Sequence, residues 1–121
     1  REKLYTHGKQ LAKTDFTVHL NGEHSGADVV SRSVAAGESK QEFVSRINGN
    51  APCHGHTECD AIIMEHAKVT AVPELTAACV DAELIHEAAI GKIAGEQLTK
   101  LMTLGLTEQE AEEQIIKGFL S

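Results

Sequence analysis

Short β-prone runs bounded by Gly, Asn and Pro fill most of this chain, and no helical pattern lies between them to form crossovers. Neighbouring runs are centred roughly 8 to 18 residues apart, which is typical of strands joined by brief turns. Two architectures fit this pattern: an antiparallel sandwich or barrel, and a β-solenoid in which each strand stacks on a previous turn. The runs cover residues 16–20, 27–34, 40–47, 57–64, 68–72 and 83–87.

The choice between these architectures rests on weak signals. Asn21-Gly22 is the best candidate for a two-residue hairpin turn, but it is a single signal. The fixed-period repeat of an ideal solenoid is also absent. The core must come from Val, Ile, Leu and Ala, because the chain has three Phe, one Tyr and no Trp, and such packing suits stacked parallel strands. Periodicity leaves the choice open, and we favour the solenoid.

Three stretches are expected to lie outside strands. Residues 1–13 are polar and carry no clear pattern. The segment from Asn48 to His56 is interpreted as a polar loop before the strand that starts near Thr57. Pro73 is expected to break the strand that begins at Lys68, because proline cannot donate to a sheet ladder.

The last quarter of the chain predicts two helices. Apolar residues at Leu98, Leu101 and Met102 follow the i, i+3, i+4 spacing, and Gly105 supplies a stop. A capping box begins at Thr107 and starts the second helix, which is expected to run to about residue 118. One face of this helix carries Ala111, Ile115 and Phe119.

The chain is acidic, with a formal net charge of -7 when its histidines are neutral. A nucleic-acid partner would require a basic face and is not expected. No apolar run approaches the roughly 20 residues of a membrane span, and no signal peptide is recognised. Three cysteines at uneven spacing do not indicate a disulfide framework, and free thiols are typical of a reducing cytoplasm. Because the chain begins at Arg1 in mid-pattern, we expect it to be a fragment.

The seven residues from Cys53 to Cys59 include two cysteines and two histidines, which makes them the first candidate for metal chemistry. The ligands lie at positions i, i+1, i+3 and i+6, whereas zinc boxes pair ligands two to four residues apart on a knuckle. In an extended segment, Cys53 and His54 point to opposite sides, and so do His56 and Cys59. A closed zinc site is therefore disfavoured, and a polar loop with incidental histidines is preferred.

A second candidate is the pair His86-Glu87 at the end of a strand-like run. Adjacent strand residues face opposite ways, so at most one of the two points into the body of the protein. Phosphate-binding glycine loops and the motifs of ordinary hydrolases are not present. The chemistry of the chain therefore depends on its cysteines, histidines and carboxylates.

Three stretches carry a family resemblance. They are TECDA at 57–61, LIHEA at 84–88, and a terminal series of GEQL at 95–98, GLTEQEA at 105–111 and IIKGF at 115–119. In this order and spacing they resemble the C-terminal part of the SufB/SufD family, the scaffold proteins of iron–sulfur cluster assembly. The presence of both Cys59 and Glu87 makes the chain more similar to SufB than to SufD.

This resemblance implies a right-handed parallel β-helix over residues 1–92 and a helical segment over residues 93–121 that docks an ABC-type ATPase of the SufC kind. It implies pairing through the β-helix, with a SufB/SufD-type paralogue or as a homodimer, and a cysteine desulfurase system as the sulfur source. The cargo would be a transient iron–sulfur cluster, and ATPase activity would belong to the partner, so the chain itself would not be an enzyme. The docking residues would be Leu98, Leu101, Met102, Ile115, Ile116 and Phe119.

The resemblance also assigns residues. Cys59 matches the cysteine that accepts sulfur or ligates the nascent cluster, His86 matches the histidine that faces the partner subunit, and Glu87 matches a SufB-type glutamate. Thiolate is the form that attacks a persulfide or binds iron. Glu58 and Asp60 flank Cys59, and their charges are expected to raise the pKa of its thiol until a metal or a cationic partner arrives.

Two other functions stay open at this stage. One is a metalloenzyme whose zinc is bound by Cys53, His56 and Cys59 within a β-solenoid. The other is a plain β-solenoid interaction module, in which the helix pair caps the end of the stack.

Overall fold

The computed structural model describes all 121 residues, which form seven β-strands followed by two α-helices. The strands are β1 (Glu2–Thr6), β2 (Leu11–Leu20), β3 (Ser25–Ala35), β4 (Lys40–Gly49), β5 (Cys53–Ile63), β6 (Lys68–Ala77) and β7 (Ala82–Gly91). The helices are α1 (Gly95–Thr103) and α2 (Glu108–Leu120).

The strands form two parallel sheets, one with the order β1-β3-β5-β7 and the other with the order β2-β4-β6. Each turn of the chain therefore adds one strand to each sheet. Glu2 lies beside Ser31 and Ser25 lies beside Cys53, which are offsets of 29 and 28 residues. This stacking is a β-solenoid, so the favoured architecture is confirmed. The repeat that appeared to be missing is a turn of two unevenly spaced strands.

The two sheets face each other, and alternate residues of each strand point into the space between them. Strand β5 shows this alternation clearly, because its inward residues are buried and most of its outward residues are not. At the end of the stack near the β4–β5 turn, Leu20, Ile47 and Cys53 form a small apolar core that Leu84 also contacts. Farther along β5 the interior becomes polar, with Thr57 fully buried.

The turns that join the four-stranded sheet to the three-stranded sheet stack in register. Gly8, Gly37 and Glu65 occupy equivalent places in successive turns, and all three have positive φ angles, of 58°, 67° and 58°. The amide of Glu38 donates to the carbonyl of Gly8, and the amide of His66 donates to the carbonyl of Gly37. The backbone ladder of the sheets thus continues through the turns, and the left-handed position recurs once per turn.

Three expectations about strand limits were wrong. Residues 1–13 contain all of β1 and the start of β2, because a five-residue edge strand with polar side chains gives little periodic signal. The segment from Cys53 to His56 belongs to β5 and is not a loop. Strand β6 continues through Pro73, which is tolerated because β6 is the last strand of its sheet and the proline leaves no ladder bond unmade on the open side.

The two helices follow their predicted signals. Thr107 accepts a hydrogen bond from the amide of Glu110, whose side chain accepts one from the amide of Thr107, which completes the capping box. Gly105 adopts a φ of 99° after α1. Helix α2 packs on the outer face of the four-stranded sheet at β3, where Ala111 and Val34 are both fully buried. Neither helix is long and apolar enough to cross a membrane.

The stacked turns give a testable prediction about Gly37. A Cβ at this position would lie 2.9 Å from the backbone nitrogen of Gly8, whereas a Cβ at Gly8 would meet nothing within 4 Å. We expect Gly37→Ala to lower the free energy of unfolding by about 2–4 kcal/mol, from a left-handed φ and a backbone clash. Gly8→Ala should cost about 1 kcal/mol, from the φ term alone. Urea denaturation measures both, and equal losses would contradict the stacked contact.

Candidate functional site

The alternation of β5 divides the Cys53 to Cys59 segment between two faces of the sheet. Cys53 and Cys59 point inward and are buried, whereas His54 and His56 point outward. Cys53 and Cys59 are also separated by about 20 Å along the strand, at about 3.3 Å per residue. The tetrahedral zinc site that Cys53, His56 and Cys59 would form is therefore ruled out by the fold.

Cys59 lies in a row of inward residues that crosses the four-stranded sheet. Its neighbours in register are Ser31 on β3 and Ala88 on β7, and Ser31 is in turn beside Glu2 on β1. The Cys59 side chain is 1 % exposed. The carboxylate of Glu2 accepts hydrogen bonds from Ser31 Oγ (3.1 Å) and Thr14 Oγ1 (2.9 Å). The thiol is thus enclosed in a largely polar part of the interior.

The surroundings of Cys59 hold its thiol in the protonated form. Burial, and then the negative charges of Asp60 and Glu2, raise the pKa of Cys59 from 9.0 to about 11. The predicted direction is correct, but burial is the largest cause, and Glu2 acts in the place that was expected for Glu58. A group that brings positive charge close to the sulfur would favour the thiolate.

His86 points inward from β7, one turn along from Thr57 and diagonally across from Cys59. Register pairs Thr57 with His86, and Thr57 Oγ1 and His86 Nδ1 are 2.5 Å apart. Neighbours that are diagonal in this way have Cα atoms about 8 Å apart, given strand spacing near 4.8 Å and two residues of rise. Burial lowers the pKa of His86, with a smaller contribution from His56, so the ring is neutral at pH 7. A neutral ring keeps one nitrogen lone pair.

Glu87 points to the opposite face of the same sheet, where it is exposed. It lies beside Glu58 in register, and its carboxylate is 3.6 Å from His56 Nε2. The carboxylate of Asp60 and partial burial raise the pKa of Glu58, with a further contribution from Glu87. The fold therefore brings Cys59 and His86 together inside the solenoid and places Glu87 outside it.

The expected docking residues lie on the helix pair. Met102 is 45 % exposed and is followed by Leu104 at 80 %. Leu98 lines a shallow groove with Ile63 and Met64 at the end of β5. The remaining four are half-buried: Leu101, Ile115, Ile116 and Phe119.

Sequence analysis missed Glu2, Ser31 and Thr57 as neighbours of the site. A signal for them was present in the spacing of the chain. An offset of 28 or 29 residues links Ser31 to Cys59 and Thr57 to His86, and the same offset links Gly8 to Gly37. Once this period is known, the residues that surround any inward side chain follow by counting.

The fold and the site define a class: a parallel β-solenoid with an enclosed thiol and a histidine on the next turn, followed by a helical hairpin. Comparison with protein families places the chain within a known one. Residues 2–119 match the model described as SUF system FeS cluster assembly, SufBD core domain. The chain belongs to the SufBD family of iron–sulfur cluster assembly proteins.

Curated relatives support this assignment. The chain is 37 % identical over 119 residues to an iron–sulfur cluster assembly SufBD family protein of Methanocaldococcus jannaschii, covering 98 % of this chain and 38 % of that protein. It is 41 % identical to one of Methanothermobacter thermautotrophicus (86 % and 26 %) and 43 % identical to one of Archaeoglobus fulgidus (84 % and 28 %). The chain therefore spans between about a quarter and two fifths of the length of these relatives.

The raised pKa of Cys59 gives a testable pH dependence. Because the folded state binds the thiol proton more tightly than the unfolded state, this stabilisation is complete below pH 9 and is lost as the pH rises towards 11. We expect the difference in unfolding free energy between the wild type and Cys59→Ser to shift against the wild type across this interval. Urea denaturation of both proteins from pH 7 to 11 measures it. A constant difference would show that the thiol is not perturbed.

Proposed function

We propose that this chain is the part of a scaffold on which sulfide and iron are assembled into an iron–sulfur cluster, with Cys59 as the residue that accepts sulfur or binds the nascent cluster. The family of the chain supports assembly chemistry. The observation that carries the assignment to Cys59 is its position, since it is an enclosed thiol with an imidazole on the next turn of the same inner face. Thiolate sulfur and imidazole nitrogen are both ligands of iron–sulfur centres.

The enclosure of Cys59 suits a carrier of reactive sulfur. Persulfides and thiolates are consumed by oxidation and by exchange with other thiols, and both reactions need access to the sulfur. A thiol whose pKa is raised to about 11 stays protonated at pH 7. Iron would displace that proton, because a metal-bound thiol is deprotonated. In this proposal the site is therefore inactive until its cargo arrives.

His86 is the second member of the proposed site. In the tautomer in which Nδ1–H donates to Thr57 Oγ1, the lone pair of Nε2 is free to bind a metal. Thr57 would then act as a positioning residue for the ring. Glu87 would bind iron from the outer face and not in contact with Cys59.

The last turn of the solenoid favours a second subunit. Strands β6 and β7 end their sheets, so each presents an unpaired backbone edge. Apolar side chains are exposed on these two strands, among them Leu75 (38 %), Ile85 (46 %) and Ile90 (38 %). We propose that a SufB/SufD-type paralogue or a second copy of this protein pairs here and completes the ligand set around Cys59 and His86. A cysteine desulfurase system would supply the sulfur, and the location would be cytoplasmic.

The helix pair is the proposed docking element for an ABC-type ATPase of the SufC kind, and we divide the chain accordingly into a β-solenoid (1–92) and a docking segment (93–121). The exposed apolar side chains of Met102 and Leu104 support a protein partner on α1. Catalysis of ATP hydrolysis would belong to the partner, and the chain would act as a scaffold and not as an enzyme.

Reconstitution tests the role of Cys59. Anaerobic incubation with Fe(II) and sulfide, at a protein concentration high enough for subunits to pair, should give charge-transfer absorption that Cys59→Ser lacks. Cys53→Ser is the matched control, because Cys53 is buried on the same face of the same strand but near the opposite end. We expect Cys53→Ser to retain at least half of the wild-type absorbance. Equal spectra for the wild type and Cys59→Ser would refute the assignment, and stoichiometric zinc would favour a different metal site.

Docking is tested by a change that leaves the solenoid intact. Met102→Lys places a charge in the exposed apolar patch, so we expect it to weaken capture of the ATPase at least tenfold. Gln114→Lys, at an exposed polar position on α2, is the control for added charge. Affinity for the purified ATPase can be measured by calorimetry. Unchanged affinity in Met102→Lys would indicate that α1 only caps the solenoid.

A further inference from the structure

A cluster of His56, Glu58 and Glu87 lies on the outer face of the four-stranded sheet. One donor atom from each residue can be chosen so that all three lie within 4.8 Å of one another. His56 and Glu58 are two residues apart on β5, and Glu87 is beside Glu58 on β7. The inner face, which carries Cys59, is on the other side of the same sheet. This cluster is therefore separate from the enclosed thiol.

His56 is oriented as a metal ligand would be. Its Nδ1 is 2.7 Å from Asp28 Oδ1, on the neighbouring strand β3. Since a carboxylate can only accept, Nδ1 carries the proton, and in the neutral ring the lone pair is on Nε2. Nε2 faces Glu87 at 3.6 Å, which is too long for a good hydrogen bond. A carboxylate that fixes the tautomer and orientation of a histidine in this way is the usual outer partner of metal-binding histidines.

The carboxylates of the cluster lack a protein cation. Glu58 and Glu87 are lateral neighbours of like charge, an arrangement that destabilises a sheet. Neither residue forms an ion pair with a lysine or an arginine, and the ion pair recorded for Glu87 is with His56. On the outer face of the other sheet, by contrast, the lateral neighbours Lys13 and Glu42 are paired. A bound cation would supply the positive charge that this row of the four-stranded sheet lacks.

We propose that His56, Glu58 and Glu87 bind a divalent first-row transition ion on the outer face of the solenoid, with Asp28 holding the imidazole. Donors about 2.1 Å from such an ion lie about 3 Å from each other, so the two partly exposed glutamates need only small rotations to close on it. One nitrogen and two carboxylates favour Fe(II), Co(II) or Zn(II) over Mg²⁺ and Ca²⁺, which prefer oxygen alone. The inference rests on this geometry and not on the proposed function of Cys59.

The test is a titration of the chain with Co(II), followed by calorimetry and by visible d–d absorption, and repeated anaerobically with Fe(II). We expect one equivalent to bind with His56 as a ligand, and His56→Ala to weaken binding at least tenfold. Asp28→Asn keeps all three ligands but loses the orienting carboxylate, so we expect a loss of about 10–100-fold. Excess Mg²⁺ should not displace the Co(II).

The matched control is His54→Ala. His54 lies on the same face of β5, two residues from His56, and pairs with one carboxylate, Glu83, at 3.4 Å. Its removal should leave affinity within about twofold of the wild type, and so should Cys59→Ser. Equal losses in His54→Ala and His56→Ala, or displacement by Mg²⁺, would reduce the site to a diffuse acidic surface and overturn the proposal. Loss of binding in Cys59→Ser would place the ion on the inner face and also overturn it. Circular dichroism confirms that each variant is folded.

Discussion

In-register stacking of parallel turns is the constraint on which the rest of this structure depends. Each residue of β5 has one neighbour a turn before it and another a turn after it, at offsets of 28 or 29 residues. Register fixes which side chains meet, and the two-residue period of a strand fixes which face they share. A single insertion within one turn would move the rest of that strand to the wrong face. The turn glycine at Gly37, stacked on Gly8, protects this register.

The same stacking produces two different environments on the two faces of one sheet. Inward rows are enclosed by the second sheet, so Cys59 is buried, its thiol stays protonated, and the burial of His86 keeps its ring neutral. Outward rows face solvent, where carboxylates can crowd together with a histidine. Because only one strand, β7, lies between the Cys59 row and the open edge of the sheet, the inner site is close to any partner that pairs there.

Much of this arrangement could be predicted from the sequence, but register could not. The helix pair follows from local signals, namely the apolar spacing of α1 and the capping box at Thr107. The solenoid was favoured because small aliphatic residues replace aromatic ones. Strand β1 and the first residues of β5 were missed, since polar residues in a stacked strand are stabilised by backbone ladders and not by apolar periodicity. Pro73 misled for a related reason, because its effect depends on which strand lies at the sheet edge.

The paired residues His86 and Glu87 show why neighbours in sequence need not be neighbours in chemistry. A resemblance assigns both to one site, and sequence analysis already placed them on opposite sides of a strand. In the structure His86 contacts Thr57 on the inner face, whereas Glu87 approaches His56 on the outer face. A short motif on an edge strand can therefore supply ligands to both faces. A substitution at either position then tests one face of the sheet without removing a ligand from the other.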